Sequence, residues 1–402
     1  MNVVQLGTGG RSAANKQNYG GIERVIYSLC AGLEQLGCEV TVLDRTSATH
    51  VSNVKEIFSV GADEKLHSNN FTNLFSFIMY NFQALTFAVS CVVELNKMLS
   101  ERRIDVIHGH TPLPMLGAVF IRMIHRSRIP IVYTSHAHNL VMGDSLLQRT
   151  LNFPEMLALK MATHVIAVTP SVSKALVSRF SIEPERITQV VSGVGIGEID
   201  CFLSTMAPRR GPKTILNVGA ISARKNQLVL VKAFAKLSSV FPEAELVLVG
   251  PILEPAYLAT LRDASSKYAV ESRVHVTGEV SREQLYHFYR SASVFAFPTT
   301  REMQGLVLLE AMAFGLPIVA SRIPPIQDLL GKDERSFLLV DPEDPEELSR
   351  ALVLALGDGA LRTSMCIGSR KLAQTYTQEK TALGIFHLYQ KLLLIQNITL
   401  RR

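Results

Sequence analysis

Five cysteines in 402 residues, with no CxxC pair among Cys30, Cys38, Cys91, Cys201 and Cys366, provide neither a disulfide framework nor the paired thiolates of a structural zinc site. They fit a reducing, cytoplasmic setting. No Asp-x-Asp pair is present to hold a divalent cation. No basic leader precedes Val3-Val4-Gln5-Leu6, which reads as a strand running straight into Gly7, so a cleaved secretory signal is not expected. Repeats of about 20–50 residues are absent, which excludes solenoids and propellers. A strong excess of one charge sign is also lacking, with 41 basic against 35 acidic residues. At a net charge of +6, Lys plus Arg exceed Asp plus Glu by three on each side of Gly197, too even a spread for a nucleic-acid footprint. Such a balance still permits contact with anionic ligands or an anionic membrane.

Long hydrophobic runs are limited to one: Phe71 to Val93 carries no charged side chain over 23 residues. It approaches the length of a membrane span. Asn73, Ser76, Asn81, Gln83, Thr86 and Ser90 argue against a span, because hydrocarbon leaves such groups unsatisfied. A packed helix of the first domain is expected, with insertion into a membrane surface as the alternative. Leu113 to Arg126 then reads as a helix with Arg122 and Arg126 one turn apart and Arg128 beyond. Those arginines are read as a solvated face, or otherwise as contacts to membrane phosphate.

What is present is ordinary globular material, 47% hydrophobic and 19% charged, enough for two cores. Strand and helix patterns alternate through both halves, the signature of an α/β protein with parallel sheets. The change of domain is expected between Val190 and Lys213, a Gly- and Ser-rich stretch that includes Pro208-Arg209-Arg210-Gly211-Pro212. The expected division is 1–197, 198–380 and a last helix within 381–402. The acidic run Asp341 to Glu347 reads as a helix start, its carboxylates complementing the dipole.

Val294 to Ser321 is the most informative segment. Val294-Phe295-Ala296-Phe297 is an apolar strand closed by Pro298, Leu306 to Phe314 is a helix ending at Gly315, and Ile318-Val319-Ala320 is a second buried strand. Ligands of parallel sheets bind at the carboxyl ends of the strands. Glu302 lies in the loop and Glu310 inside the helix. Eight residues apart, they do not share one helix face, so they should meet a ligand from different directions. Gly305 lets backbone approach closely, and the helix-start amides suit phosphate. Phosphate near amides and hydroxyls near carboxylates describe a sugar nucleotide; one helix acid plus one exposed glutamate is the plainer alternative.

Glu302 through Glu310 and the following AMAFGLPIVAS resemble the signature of retaining glycosyltransferase family 4, whose fold is GT-B, two Rossmann-like doubly wound domains facing a central cleft. Further matches follow in order: Asn18 to Arg24, the helix ending at Gly37 with the strand Glu39 to Leu43, Asp105 to His110, Tyr133 to His136, Ile215 to Gly219 leading to Arg224-Lys225-Asn226, and Val274 to Val280. The resemblance implies an N-terminal acceptor domain, a C-terminal nucleotide-sugar domain, and last helices that cross back, here Phe386 to Gln396.

It also implies roles. Lys225 would stabilise the leaving diphosphate with amides near Gly305 and Leu306, Glu302 would hold hydroxyls of the transferred sugar, and Glu310 those of the ribose. His136 would contact the sugar or steady charge at the reacting carbon, with His110, His108 and Asp328 as weaker candidates. Gly20 and Gly21 would offer amides to the donor phosphates, and Gly219 and Val280 would line the donor. Metal-free transfer is implied, with configuration retained and no covalent carboxylate nucleophile. The expected partners are a UDP- or GDP-sugar, a glycan or lipid-linked acceptor, and the cytoplasmic face of an anionic membrane; no cofactor and no nucleic acid are expected.

Two departures stand out. Ala220 occupies the place of the usual phosphate-binding arginine after Gly219, and Arg224 is a substitute only if it can turn toward Lys225's side, since neighbouring helix residues diverge by about 100°. Met303-Gln304 replaces the usual Gly-Phe pair. These keep two other readings in play: a non-catalytic sugar-nucleotide-binding partner, and another GT-B catalyst such as a phosphorylase or epimerase. A hydride-transfer enzyme is disfavoured. Gly7-Thr8-Gly9-Gly10-Arg11-Ser12 completes only part of the dinucleotide fingerprint, and the strand-ending Asp44 comes too late.

Overall fold

The computed structural model describes residues 1–7, 21–44, 54–56, 74–101, 103–136, 153–205, 213–331 and 336–400. Two compact units result: Met1–Ser192 together with Gln378–Arg402, and Gly193–Thr377. In the first, β1 (Asn2–Leu6), β2 (Glu39–Asp44), β3 (Val54–Glu56), β4 (Val106–Gly109), β5 (Ile131–Thr134), β6 (His164–Ala167) and β7 (Ile187–Gln189) form a sheet in the order β3-β2-β1-β4-β5-β6-β7. In the second, β8 (Thr214–Val218), β9 (Glu245–Val249), β10 (Val274–Gly278), β11 (Val294–Phe297), β12 (Ile318–Ser321) and β13 (Phe337–Val340) run β10-β9-β8-β11-β12-β13. Every pairing is parallel. In both sheets the order of strand addition therefore reverses beside the first strand, at β1/β4 and β8/β11, the place where doubly wound folds bind ligands.

The sequence reason is the run of residues apolar on both faces. β4, β5, β11 and β12 are buried at every position, as helix-covered parallel strands must be. Val294–Phe297 matches the expected strand, and Ile318–Ser321 extends the expected one by a residue. Asp344 caps the helix Pro345–Gly357, accepting from the amides of Glu346 at 2.8 Å and Glu347 at 3.1 Å, so the acidic run starts a helix as read.

The C-terminal helix, Gln378–Leu400, contributes Ala382, Ile385, Leu388, Tyr389 and Leu392 to the core of the first unit, beside Ile26 and Leu33 of the helix Gly21–Gln35. The two helices cross at Gly32. A Cβ there would lie 2.5 Å from that of Ala382, so only a hydrogen permits this approach.

The uncharged run forms part of a longer helix, Leu74–Ser100. Phe87, Cys91, Leu95 and Leu99 are buried, while Phe82, Leu85, Val89 and Val93 are 47–64% exposed. By length and composition Phe82–Ser100 could cross a membrane, but its buried face packs on protein: a Cβ on Gly117 of the helix Pro112–Ile124 would meet Val92 at 2.6 Å. Arg122 departs from a solvated face, donating to Thr163 Oγ1 at 2.9 Å from a half-buried position.

The Gly- and Ser-rich stretch expected as linker also differs. Ile196–Ser204 is a helix within the second unit, with Glu198 paired to Arg282 at 2.6 Å and Phe202 edge-on to Tyr286 at 5.3 Å. Side-chain partners some eighty residues ahead outweigh local glycine content here. Pro208 to Pro212 lie outside the described residues.

Candidate active site

In the second unit, β11 ends at Phe297 and the chain reaches the helix Leu306–Ala313 through a loop that stops on Gly305, at φ 85° and ψ 64°. This left-handed conformation suits glycine, and a Cβ there would press on Phe297 at 3.3 Å. The helix closes at Gly315, φ 70°, with Gly315 N–H donating to Met312 O and Leu316 N–H to Ala311 O. That is a Schellman ending. At the helix start the Leu306 and Val307 amides have no preceding helical carbonyl to bind.

The turn after β8 is laced to this loop. Thr300 N–H, Thr300 Oγ1 and Thr299 Oγ1 donate to Arg224 O at 3.1, 3.1 and 3.2 Å. Asn226, left-handed at φ 60°, donates its amide to Pro298 O at 3.1 Å and Pro342 O at 2.6 Å. The lacing aims Lys225, on the 3-10 turn Ala223–Lys225, at the loop's carboxylate: Lys225 Nζ donates to Glu302 Oε2 at 2.6 Å.

Both partners are nearly buried, 12% and 8% exposed at the side chain, and the ammonium lies 5.1 Å from the centre of the Phe297 ring. Burial pushes the Lys225 pKa down; the adjacent Glu302 pulls it back up and Arg224 lowers it again. Arg224 Nη1 is 3.9 Å from the same Glu302 oxygen and donates to Arg301 O at 3.1 Å. The divergence expected of helix neighbours does not separate the two cations, because both flexible side chains turn around one carboxylate. Gly219 lies beside them: a Cβ on it would sit 3.4 Å from the Lys225 stem.

Glu310 is 1% exposed and accepts from Tyr289 OH at 3.0 Å. Tyr289 belongs to the helix Arg282–Ser291 and stacks on Phe314 at 5.2 Å. Glu302 and Glu310 thus stand on different elements with different partners. Val280 is half-buried just after β10, as is Leu306 at its helix start. Asp328, on Pro324–Leu330, lies close enough to raise the Tyr376 pKa, behind the larger effect of burial.

In the first unit the strand ends carry polar groups inward. Gly7 stands against Asp44, whose carboxylate would be 2.5 Å from a Cβ at Gly7 and accepts from Tyr27 OH at 3.0 Å. Gly21 opens its helix in exposed backbone, whereas Gly20 lies outside the described residues. His108 and His110 from β4 and beyond, with half-buried His136 after β5, form one cluster. His108 Nε2 is 2.8 Å from Thr134 Oγ1 and its Nδ1 2.6 Å from Tyr389 OH. His110 Nδ1 is 3.2 Å from His136 Nε2, and its Nε2 is 2.9 Å from Gln5 Oε1. Gln5 Nε2 donates to Tyr389 OH at 3.2 Å.

Burial, then the neighbouring imidazoles, holds His108 down to about 3 and His110 well below the ordinary histidine value, so both are neutral at pH 7. Beside them Glu155 accepts from Ser135 Oγ at 2.5 Å and Tyr133 OH at 2.8 Å; burial raises its pKa against those bonds. Gln5, Glu155, Tyr289 and Tyr389 were not singled out by sequence reasoning. Gln5 and Glu155 interrupt apolar stretches, which is a signal, whereas Tyr289 and Tyr389 sit among polar neighbours and carry none. Among the described residues no group of three or more His, Cys, Asp or Glu converges as metal ligands would.

Both units match known families. Residues 19–196 match the profile described as Glycosyltransferase Family 4, and residues 206–371 that of Glycosyl transferases group 1. Among curated relatives, the D-inositol 3-phosphate glycosyltransferase of Jonesia denitrificans is 24% identical, over 97% of this chain and 93% of its own. That of a Nocardioides species is 26% identical, over 97% and 89%. Among solved structures, a sucrose-phosphate synthase from Thermosynechococcus elongatus superposes with a TM-score of 0.77 at 22% identity, covering 98% of this chain and 99% of that one. Anabaena HepE, crystallised with UDP and glucose, gives 0.73 at 18% identity, covering 97% and 100%. At such identities the structural likeness concerns the fold.

Proposed function

The chain is a glycosyltransferase of family 4 with the GT-B fold, and from that premise we propose that it is a retaining, metal-independent transferase moving a sugar from a UDP- or GDP-sugar to a glycan or lipid-linked acceptor. The observation that carries this reading is the buried Lys225 ammonium beside the Gly305 turn. Breaking the bond from the sugar to the diphosphate places negative charge on the leaving oxygens, and a fixed cation near helix-start amides stabilises that charge as it grows. An ammonium has three N–H donors, and Glu302 takes one. Lys225 can therefore serve a phosphate oxygen while Glu302 stays paired, which holds the carboxylate where sugar hydroxyls would meet it. Glu310, fixed by Tyr289, serves the ribose hydroxyls in this reading, and His136 the transferred sugar.

The acceptor oxygen attacks on the face that the diphosphate leaves, and its proton passes to the leaving phosphate. The test is a hydrolysis and binding screen against UDP-, GDP- and ADP-sugars with EDTA present, with D-inositol 3-phosphate, named in the relatives, as one acceptor arm. Release of one nucleotide in EDTA supports the proposal; release restored only by added magnesium overturns its metal-free part. Ala220 in place of the family's arginine favours a second reading, a non-catalytic binder of sugar nucleotides. Tight donor binding with no turnover under any acceptor would select it.

We place the protein at the cytoplasmic face of an anionic membrane. The support is the exposed apolar row Phe82, Leu85, Val89 and Val93 together with Phe120, Met123 and Ile124, near exposed Arg126 and Arg128. Exposed apolar side chains on two helices, with exposed arginines following the second in the chain, fit a lipid surface. All five cysteines are free thiols, consistent with that compartment. Flotation with anionic vesicles, lost in Val89→Asp, is the expected result, and equal recovery with and without vesicles would refute it.

A further inference from the structure

Lys225 Nζ donates to Glu302 Oε2 at 2.6 Å, and Arg224 Nη1 lies 3.9 Å from that same oxygen. The other carboxylate oxygen, Oε1, accepts from the Met303 N–H at 3.1 Å. Glu302 is thus held at both oxygens. With 12% and 8% of the Lys225 and Glu302 side chains exposed, water and salt screen the pair weakly. A fixed negative charge therefore stands beside the cation that a leaving diphosphate would use.

The three N–H groups of an ammonium point along tetrahedral directions, so a phosphate oxygen on a second one stands about 4.5 Å from Glu302 Oε2. What this proximity does depends on the phosphate. In a sugar nucleotide the terminal phosphate is substituted on both sides and carries one negative charge, and the attached sugar brings hydroxyls that donate to the carboxylate. After transfer the sugar has left with the acceptor. The terminal phosphate now has a second ionisation at about pH 6, so at pH 7 it gives up the proton taken from the acceptor and carries close to two charges. No sugar hydroxyl then faces Glu302. At an effective dielectric constant of about 20, like charges this close change binding by at least about tenfold.

We propose that Glu302 is a specificity-determining residue that separates donor from product: its carboxylate accepts from the sugar of an intact sugar nucleotide and repels the spent nucleoside diphosphate, hastening its departure. This role rests on the reading of Lys225 as the diphosphate cation, and deepens it. It accounts for an arrangement that otherwise works against anion binding, since a carboxylate 2.6 Å from Lys225 offsets that charge and Ala220 supplies none in the place of the family's arginine. The site is built to hold a diphosphate only while a sugar is attached.

The test measures, by calorimetry on the full-length protein, the affinities for UDP-glucose and UDP, or for the corresponding pair if the screen selects another donor, in wild type, Glu302→Gln and Glu302→Asp. Glutamine keeps the shape and still accepts from Lys225. Without the Glu302 charge, burial and Arg224 both hold the Lys225 pKa down, so binding is read at pH 7 and not in alkali. Glu302→Gln should tighten UDP and shift the affinity ratio about tenfold toward UDP over UDP-glucose, with the UDP dissociation rate falling by a similar factor in stopped-flow displacement. Glu302→Asp keeps the charge but draws it back by one methylene; it should shift the ratio about threefold and guards against a glutamine variant that fails to fold. UMP, which lacks the terminal phosphate, should bind all three proteins alike, and a gain shared by UMP would overturn the proposal. So would an unchanged ratio or a weakened UDP. If Lys225→Ala leaves both affinities at wild-type values, the site reading itself fails; if Lys225→Ala weakens both while Glu302→Gln moves them together, only the separation of donor from product fails.

Discussion

The two units share one strand order over six strands, the first adding a seventh at its edge, and solve the problem of polar groups at strand ends in opposite ways. In the second unit the groups are ions: Lys225 and Glu302 are held 2.6 Å apart and nearly dry, each making the other's charge tolerable. In the first they are imidazoles: burial holds the pKa values of His108 and His110 down, which favours the uncharged rings, and hydrogen bonds satisfy them. The lesson is that topology selects the place while desolvation and partners select the chemistry. A fixed cation suits a leaving diphosphate, and an uncharged chain suits the orientation of sugar hydroxyls.

Breaking the charged side should have the largest effect. Lys225→Ala is expected to lower turnover by about 10²–10³-fold, the cost of removing one stabilising group for developing charge, while donor-free thermal unfolding changes far less. Steady-state kinetics beside a melting curve would separate these, and wild-type activity would remove Lys225 from the site.

Acid should break the neutral side. His108 has a folded pKa of about 3, below the ordinary 6.5, so the unfolded chain binds a proton that the folded one refuses. Its stability contribution is whole above pH 6.5 and is lost as pH falls toward 3, with His110 adding in the same direction. Each such proton gives a slope of about 1.4 kcal/mol per pH unit. Urea titrations between pH 7 and 4 should show this decline, and a flat profile would mean that the imidazoles are charged when folded.

Glu310→Ala should weaken donor binding by about 10–100-fold, as for a lost hydrogen bond to a charged group, and Tyr289→Phe by less. Calorimetry with the donor measures both, and equal affinities would sever Glu310 from the ribose. Gly32→Ala tests whether the C-terminal helix needs its close crossing. The added methyl meets Ala382, and overpacking should cost about 1–3 kcal/mol in urea unfolding with donor affinity unchanged. Arg224→Ala should have the smallest effect, about threefold on turnover, since the guanidinium is a second cation at 3.9 Å and partly exposed. No change at all would leave Ala220 without a substitute.

Much of the second unit's candidate site was legible in its local structure. Val294 to Ser321 folds as its apolar runs, Pro298, Gly305 and Gly315 indicate, since strand ends and helix caps are set by neighbours in the chain. Glu302 and Glu310 were read from the loop and helix themselves and resemblance added Lys225 and a role for each, but Tyr289 escaped because it lies on another helix, 21 residues from the carboxylate it supports. In the first unit no local pattern distinguishes Tyr389 within its helix or ties Gln5 to a partner 384 residues away. The helix Ile196–Ser204 was masked by glycines that local reasoning assigns to a linker.

Local sequence is enough to set the alternation of buried strands and helices, the glycine turns and the places where carboxylates and imidazoles meet strand ends. These are short-range consequences of side-chain shape and burial pattern. That Lys225 faces Glu302 across 77 residues and His108 meets Tyr389 across 281 follows from the fold alone. Whether a group is an ion pair or a neutral link depends on the water it loses and the partner it gains, and folding supplies both at long range.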